Sequence, residues 1–387
     1  MHSTLSTNYK ILMLTGLILS IFLLSSFRVI GYIGFAIIIA VAIACAKKIH
    51  IDTIFKTAML CASVLSIRFI IQVLCGQWYA NTTGSLLFQI FIYFYIILIR
   101  NSKFRIEEWK WIFSKYTLTI FFISIYLLMR NQLSYSSFFS SMFGNIVLVG
   151  FGIALIMTSL EKKNRKRLWW LLILIIFIYC TYKSDMRSAV VGELVGIAFS
   201  LYSSIRNEGK RFNKLFFIIV VFVCFSMPYL YLELYSPSTS VTREISSRMQ
   251  NYILRFSSKR MFSGRNDLWP HIINSFEGHQ LLGNGIGFNP GEIYNTALST
   301  HNLFFFLRLE QGFMGLFSFM LLLSAIWEEY YTNKKNKTTF YVQGFLVTVL
   351  IQQTFSLGLI GGKGAFSVGC WTVFIAFCKM QEYKNEV

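Results

Sequence analysis

Long runs of apolar residues, separated by short polar segments, recur along most of the chain. An apolar run of about 20 residues can span the hydrocarbon core as a helix, because its backbone amides are all hydrogen-bonded within the segment. The pattern therefore predicts an all-α polytopic membrane protein with about 12 transmembrane helices. The predicted spans cover residues 10–27, 29–46, 53–75, 84–99, 111–129, 136–159, 168–182, 186–204, 214–231, 303–327, 340–360 and 364–378.

Composition agrees with this class. Hydrophobic residues make up 55% of the 387 positions and charged residues only 14%, whereas soluble domains carry roughly 25% charged residues. The first apolar run follows Lys10 and has no small-residue cleavage site after it, so we interpret it as a retained helix rather than a signal peptide. All seven cysteines fall in apolar runs, which indicates neither a disulfide framework nor a metal site.

The net charge of +19 is explained by membrane topology rather than by nucleic-acid binding. Lysine and arginine concentrate in alternate short loops, as the positive-inside rule requires of cytoplasmic segments. We expect both termini to be cytoplasmic and residues 232–300 to lie outside; the resemblance described below implies that the membrane is a bacterial inner membrane and that the large loop is periplasmic. The loops predicted to be cytoplasmic are 47–53, 100–110, 161–167, 205–214 and 328–339.

Residues 232–300 form the one long hydrophilic stretch, and all four prolines of the chain lie between 228 and 290. The sequence thus divides into an N-terminal transmembrane bundle of about nine helices, 1–231, the large loop, 232–300, and C-terminal transmembrane helices, 301–387. The loop is expected to contain short amphipathic helices and to carry the chemistry.

The first part of the loop has the pattern of a basic amphipathic helix. Residues 241–262 place apolar side chains on one helical stripe, and most of the cations fall elsewhere, which suits a helix lying on the membrane surface. A helix packed on other loop elements with a solvated basic face is an equal alternative. In either case the loop presents cations to anionic lipid head groups, and the candidate substrate-binding residues here are Arg248, Arg255 and Arg260.

A glycine-rich turn, Gly283-Asn284-Gly285-Ile286-Gly287, follows in the second half of the loop. Such a turn could belong to a dinucleotide-binding unit, but that unit needs a preceding strand, and none is predicted here. The better interpretation is a tight loop lying against the membrane interface.

Polar residues at or near the outer ends of two predicted spans are candidates for chemistry. His301 stands immediately before an apolar run, and Arg308 lies two helical turns further on the same face, so a polar cavity or a partner is expected there. Glu310 is a possible counter-charge, although it is off that face. Arg187 opens a span at the level of His301. The alternatives are an ordinary interfacial histidine and an arginine that reaches back to the interface.

These motifs, in this order and on the predicted outer side, resemble the O-antigen ligase and polymerase superfamily. The resemblance rests on the Lys183-Ser-Asp-Met-Arg187 turn, on Gly264-Arg265 with Trp269, on the glycine-rich turn, on His301-Asn302 and on Gly312 with Gly315. It covers residues 183–315. The family consists of polytopic proteins with a large periplasmic loop between late spans, and its members use lipid-diphosphate-linked sugars.

Carried over to this chain, the resemblance implies catalytic roles for Arg187, Arg265 and His301. Trp269, an interfacial residue near Arg265, and Arg308, which lies deep in a span, are further candidates for substrate binding. Arginine can stabilise a diphosphate leaving group without a metal ion, and histidine can serve as a base near neutral pH. No acidic cluster in the outer segments suits a metal ion, so a metal-independent, inverting transfer without a cofactor is expected. His271 and His279 also lie in the loop, and either could be the base.

The leading hypothesis is an O-antigen polymerase that moves a growing glycan from undecaprenyl diphosphate onto a new lipid-linked repeat unit. An O-antigen ligase, which transfers the glycan to lipid A-core, is the enzymatic alternative, and the glycine-rich turn favours the polymerase. A flippase for lipid-linked oligosaccharide is an alternative of another class, to which intramembrane Arg68 and Arg308 would be suited. Expected partners are the lipid-linked oligosaccharide, membrane lipid and a chain-length regulator protein.

Overall fold

The computed structural model describes residues 2–24, 28–46, 49–133, 143–184, 186–206, 210–257, 265–289, 300–332, 337–361 and 364–379. These residues form α-helices and connecting turns, with no β-strand among them. A short 3₁₀ turn follows α1. The helices are α1 His2–Ser20, α2 Arg28–Cys45, α3 Thr53–Leu74, α4 Thr82–Arg100, α5 Ile106–Met129, α6 Phe143–Leu160, α7 Asn164–Lys183, α8 Arg187–Arg206, α9 Lys210–Tyr235, α10 Ser240–Ser257, α11 Arg265–Asn274, α12 Leu303–Thr332, α13 Thr338–Gln353 and α14 Gly364–Lys379.

Within the described residues, eight helices are long and apolar enough to cross a membrane, namely α2, α3, α4, α5, α6, α8, α9 and α12. Two shorter apolar helices occupy Thr7–Leu23 and Gly364–Cys378. The all-α polytopic class is thereby confirmed, while the count of 12 spans and the three-part division of the chain remain predictions. Among the other predicted spans, α7 begins with three charged residues in its first turn, and α13 has only 16 residues.

One end of the bundle is fixed by a buried ionic cluster around Arg100, the last residue of α4. Its guanidinium lies 2.8 Å from the Asp52 carboxylate, at the start of α3, and 3.2 Å from the Glu329 carboxylate, near the end of α12. A buried charge needs such partners, because desolvation would otherwise make it costly. The cluster lies at the opposite end of α3 and α4 from the loop segment that follows α11.

Helices α8 and α13 pack closely against each other and run antiparallel. Gly192 and Gly196 face Gly344 and Thr348, and a methyl group added at Gly192 would come within 2.6 Å of the Thr348 carbonyl oxygen. The Thr348 hydroxyl donates to the Gly192 carbonyl at 3.0 Å. Small residues allow this approach, as is common between membrane helices. Arg187 lies five residues before Gly192, which faces Thr348. Because the two helices are antiparallel, Arg187 is level with the end of α13, at Gln353.

Helix α10 confirms the helix predicted at the start of the loop. Its Ser246 is buried and donates to the Leu234 carbonyl at 2.5 Å, so α10 packs back on the end of α9. The apolar side chains of Val241, Ile245 and Met249 are 65%, 45% and 39% exposed, respectively. Because the described residues leave these side chains exposed, the structure is compatible with contact between this stripe and the membrane surface, which remains a prediction.

The charge pattern predicts that the two ends of the bundle face different compartments. Reporter fusions at residue 165, at the start of α7, and at residue 250, in α10, should therefore give opposite topologies. An alkaline phosphatase and a β-galactosidase fusion at each position would measure this. Activity of the same reporter at both positions would contradict the predicted topology.

Candidate functional site

The glycine-rich turn is buried against the membrane helices. The Gln72 side chain of α3 pairs with the backbone of Ile286, accepting from its N–H at 2.7 Å and donating to its carbonyl at 3.2 Å. The Thr82 hydroxyl donates to the same carbonyl at 3.0 Å, and the Tyr79 hydroxyl donates to the Asn284 carbonyl at 3.0 Å. The predicted tight turn is correct, but it lies between helices rather than against lipid.

The turn also fills a break in α12. Gly312 has φ 65° and ψ −160°, so the helix is interrupted there. The Asn284 N–H donates to the Leu309 carbonyl at 2.7 Å, and the Phe313 N–H donates to the Gln280 carbonyl at 2.9 Å. Backbone groups freed by the break are thus bonded to the loop, as a low-dielectric surrounding requires. The break therefore joins the loop to α12.

Glu310 lies at this junction and does not neutralise Arg308. Its carboxylate accepts from the Gly287 N–H at 2.8 Å, from the Gln89 amide at 2.6 Å and from the Ser85 hydroxyl at 2.9 Å. The tentative pairing of Glu310 with Arg308 is therefore wrong, because the side chain points to α4 and the turn.

Arg308 is held by aromatic side chains. Its Nη1 donates to the Tyr229 hydroxyl at 2.9 Å, and its guanidinium carbon lies 4.0 Å from the Phe276 ring centroid and 4.5 Å from that of Phe313. The partner expected for Arg308 is thus the Tyr229 hydroxyl together with two aromatic rings, while the polar cavity expected below His301 remains a prediction. Cation–π contacts stabilise the charge while leaving donors for a ligand.

Helix α11 is anchored through Trp269, whose side chain is fully buried. The indole N–H donates to the Thr300 carbonyl at 3.0 Å, and the ring centroid lies 5.7 Å from that of Phe305 and 6.0 Å from that of Phe355. The tryptophan therefore links the α11 motif directly to the His301 segment. Its burial makes it a positioning residue rather than one that touches substrate.

Arg265 is the first residue of α11. Its Nη2 donates to the Phe355 carbonyl at 2.8 Å, and its guanidinium carbon lies 5.8 Å from the Phe355 ring centroid. Burial lowers the pKa of Arg265 from its ordinary value, and nearby Tyr231 opposes the shift. A partly desolvated guanidinium gains free energy when an anion binds to it, and a diphosphate would supply that anion.

His301 lies between two anchored neighbours. Thr300 accepts the Trp269 indole hydrogen bond, while the Asn302 side chain donates to the Thr354 carbonyl at 2.7 Å and accepts from the Phe305 N–H at 2.7 Å. His301 itself has φ 48°, a left-handed conformation that is uncommon outside glycine and concentrates at functional sites. Because α12 begins at Leu303, the helical-face argument that joined His301 to Arg308 does not hold.

A chain of contacts connects the Arg187 turn to the same end of α13. A methyl group at Gly144 in α6 would lie 2.5 Å from the Ser184 hydroxyl, so the turn packs on the start of that helix. The next residue, Asn145, accepts from the Gln352 amide at 2.8 Å. Thr354 lies two residues after Gln352, and its carbonyl accepts the hydrogen bond from the Asn302 side chain. Arg187 thus shares one end of the bundle with Arg265 and His301, and its side chain is exposed.

The remaining candidate cations lie on α10. Arg248 is 79% exposed and forms an ion pair with Glu244 one turn earlier, an arrangement of small energetic value at a surface. Arg255 falls within α10, at a position where only the backbone is described, and Arg260 lies outside the described residues. The proposed substrate-binding role of these three arginines remains a prediction.

His271 and His279, the alternative bases, are both exposed. His271 lies on the face of α11 opposite Trp269 and Ile272, both of which are buried. Only His301 is bracketed by residues that contact α11 and the end of α13. The geometry therefore favours His301.

Sequence reasoning did not identify the end of α13 as part of the site. Phe355 binds Arg265, and Thr354 binds Asn302, both through backbone carbonyls. A carbonyl is present at every position, so no residue type marks it. The adjacent Gln352-Gln353 pair, buried in an apolar run, was the available signal, because buried polar side chains need hydrogen-bond partners.

Residues 171–320 match the family described as O-antigen ligase. The match extends from within α7 to beyond the break in α12, and it contains Arg187, Arg265, Trp269, His301 and Arg308. It confirms the resemblance to the O-antigen polymerase and ligase superfamily. A comparison of the chain with curated proteins finds no match.

The break in α12 generates a test of the junction. At Gly312 the backbone conformation is open essentially only to glycine, and a methyl group would overlap the Leu281 carbonyl. Gly312→Ala should therefore destabilise the protein by about 2 kcal/mol or more. The measurement is thermal unfolding of the purified protein, monitored by size-exclusion chromatography.

Gly84→Ala is the matched control, because a methyl group there meets nothing within 4 Å and the residue is helical. This control should be neutral or slightly stabilising. Equal thermal stability of the two variants would show that the loop does not lock the break.

Proposed function

We propose that this relative of the O-antigen polymerases and ligases is an O-antigen or related surface-polysaccharide polymerase. It would transfer a growing glycan from undecaprenyl diphosphate to a new lipid-linked repeat unit at the periplasmic face of the inner membrane. The observation that carries the proposal is the meeting of the Arg265 and His301 segments at residues 354–355, through hydrogen bonds of 2.8 and 2.7 Å. These hydrogen bonds support the proposal, because they would hold the Arg265 guanidinium, which can bind an anion, and the His301 imidazole, which can accept a proton, on one frame.

The proposed step is an inverting displacement at the anomeric carbon of the donor. His301 takes the proton of the acceptor hydroxyl, whose oxygen forms the new glycosidic bond as the bond from the anomeric carbon to the diphosphate oxygen breaks. The electron pair leaves with the diphosphate, and Arg265 and Arg187 stabilise the negative charge. Permanent cations can perform this role without a bound metal ion.

An O-antigen ligase is the second candidate, and the description of the matched family favours it. Both enzymes cleave the same donor bond, so the arginines and the histidine would serve either reaction. The acceptor distinguishes them, since a ligase must accommodate lipid A-core. The glycine-rich turn between the two motifs favours the polymerase.

A flippase for the same lipid is a candidate of another class. A broken transmembrane helix, such as α12, often marks a transport site. Here, however, the chain's own turn fills the break, and Arg68 of α3 donates to the Gly283 carbonyl at 3.3 Å. The break thus supports the loop, and transport alone gives no reason for His301 to be held in place at the start of α12.

Deletion of the gene, followed by electrophoresis of lipopolysaccharide, separates the three functions. Loss of a polymerase leaves core carrying one repeat unit, whereas loss of a ligase leaves core alone with lipid-linked polymer accumulating. Loss of a flippase leaves core alone without lipid-linked polymer on the periplasmic side. We expect core with a single repeat.

Arg265→Lys tests diphosphate binding. Lysine keeps the charge but loses the planar, bidentate geometry and the contact with Phe355, so we expect turnover to fall by about tenfold or more. The measurement is glycan transfer by purified protein at a matched amount. Arg130→Lys, at an exposed arginine, is the control and should retain wild-type turnover. Wild-type activity of Arg265→Lys would exclude this role.

His301→Asn tests the general base. Asparagine tolerates the left-handed backbone and can hydrogen-bond, but it cannot accept a proton near neutral pH. We therefore expect normal protein levels and donor binding, with transfer reduced by about 10²–10⁴. If His301→Asn transfers at the wild-type rate while His271→Ala or His279→Ala does not, the base lies elsewhere in the loop.

A further inference from the structure

An apolar groove of about 680 Å³ runs between α9 and α12. Its walls are mainly phenylalanine, leucine, isoleucine, valine and methionine side chains from the two helices. Phe222 and Phe317 on its rim are 67% and 65% exposed, so the groove opens sideways on the surface that faces lipid. One end is closed by the ion pair between Lys214 and Glu328, at 3.3 Å.

The other end of the groove reaches Arg308. Phe304 and Phe313 line the groove and flank Arg308 on α12, and the Arg308 guanidinium carbon lies 4.5 Å from the Phe313 ring centroid. On α9, the groove residue Phe225 contacts Tyr229, whose hydroxyl accepts from Arg308. Among the described residues, no carboxylate is within ion-pair distance of Arg308. The groove is therefore mainly apolar, with the Lys214–Glu328 ion pair at one end and Arg308 next to the other end.

The groove is longer than one leaflet of the membrane is thick. The uninterrupted part of α12 that lines it, from Phe313 to Glu328, is about 22 Å long at 1.5 Å per residue. One leaflet of the hydrocarbon core is only about 15 Å thick. A lipid chain that follows the whole groove therefore passes beyond the depth of one leaflet, and a polyisoprenoid is long enough to do so.

Arg308 and Arg265 contact different parts of one aromatic cluster. Arg265 meets Phe355, whereas Arg308 meets Phe276 and Tyr229. Phe276 and Phe355 are connected through Trp269 and Phe305, with ring centroids 5.6 to 6.0 Å apart. Two cations separated in this way suit two anionic head groups rather than one.

Resting on the proposed polymerase function, we propose that this groove binds the acceptor, with its polyisoprenoid chain between α9 and α12 and its diphosphate at Arg308. The reasoning is chemical. The donor loses its diphosphate, which must lie beside the base and Arg265. The acceptor reacts at the far end of its repeat unit, so its diphosphate must lie away from His301 by the length of that unit.

Binding is tested on purified full-length protein in lipid nanodiscs. The probe is a polyprenyl diphosphate with a diazirine at the far end of its chain, and labelled peptides are identified by mass spectrometry. We expect label on the α9 and α12 residues that line the groove, and we expect unlabelled polyprenyl diphosphate to displace it. Label elsewhere only, or equal labelling by a diazirine phosphatidylglycerol that polyprenyl diphosphate does not displace, would overturn the proposal.

Kinetics distinguish an acceptor site from a donor site. Met320 lines the groove, whereas Met314 is 46% exposed on the same helix and lies outside the groove lining. Met320→Trp should raise KM for the lipid-linked acceptor about tenfold, through lost apolar burial, with kcat and the donor KM unchanged. Met314→Trp should match wild type. With a lipid-free oligosaccharide acceptor, all three proteins should react equally.

Arg308→Gln should weaken binding of polyprenyl diphosphate but leave binding of polyprenol, which has no phosphate, unchanged. A rise in the donor KM instead of the acceptor KM in Met320→Trp would refute the acceptor assignment. Failure of the wild type to transfer glycan to any acceptor would refute the proposed function, while the photolabelling would still test the groove separately.

Discussion

The architecture depends on satisfying the backbone where α12 is broken. In a bilayer, peptide groups that leave a helix must find partners inside the protein, because no water is available to them. The glycine-rich turn supplies some of these partners, and Glu310 binds the turn in return at the Gly287 N–H, at 2.8 Å. The loop is thus fixed to α3, α4 and α12 together. A loop held in this way can position side chains at the membrane surface with the precision of a helix.

The low-dielectric surroundings of the site make a positively charged side chain costly to desolvate, and they also strengthen its attraction for an anion. Arg265 and Arg308 lie against aromatic rings, each with a hydrogen bond to a carbonyl or a hydroxyl oxygen, 2.8 and 2.9 Å away. The protein bears the desolvation cost of these cations when it folds, and an anionic ligand offsets part of that cost when it binds. An arginine such as Arg248, which is exposed and paired with a carboxylate, gains less free energy when an anionic ligand binds to it.

The sequence predicted the class of fold and the helix at the start of the loop, and it singled out Arg265, Trp269 and His301, whose segments contact one another, because each depends on local periodicity or on residue type. It did not predict the break in α12, because Gly312 lies inside an apolar run that reads as one span. It also did not predict the part played by Thr354 and Phe355, which act through their backbones. Contacts between distant carbonyls and side chains leave no mark in a single sequence, whereas a strained residue such as His301 could be suspected only from its neighbours.

The conformation of His301 links the frame to the chemistry. A left-handed histidine costs about 1–3 kcal/mol, so the surroundings must hold it in place. Two hydrogen bonds flank His301, one from Trp269 to the Thr300 carbonyl and one from Asn302 to the Thr354 carbonyl. Each contributes about 1 kcal/mol, so together they can offset a strain energy of this size. They come from α11 and from the end of α13, which are also the elements that carry and hold Arg265. His301 and Arg265 are thus each tied to both α11 and the end of α13, so a movement of α11 relative to α13 would strain hydrogen bonds beside both residues at once.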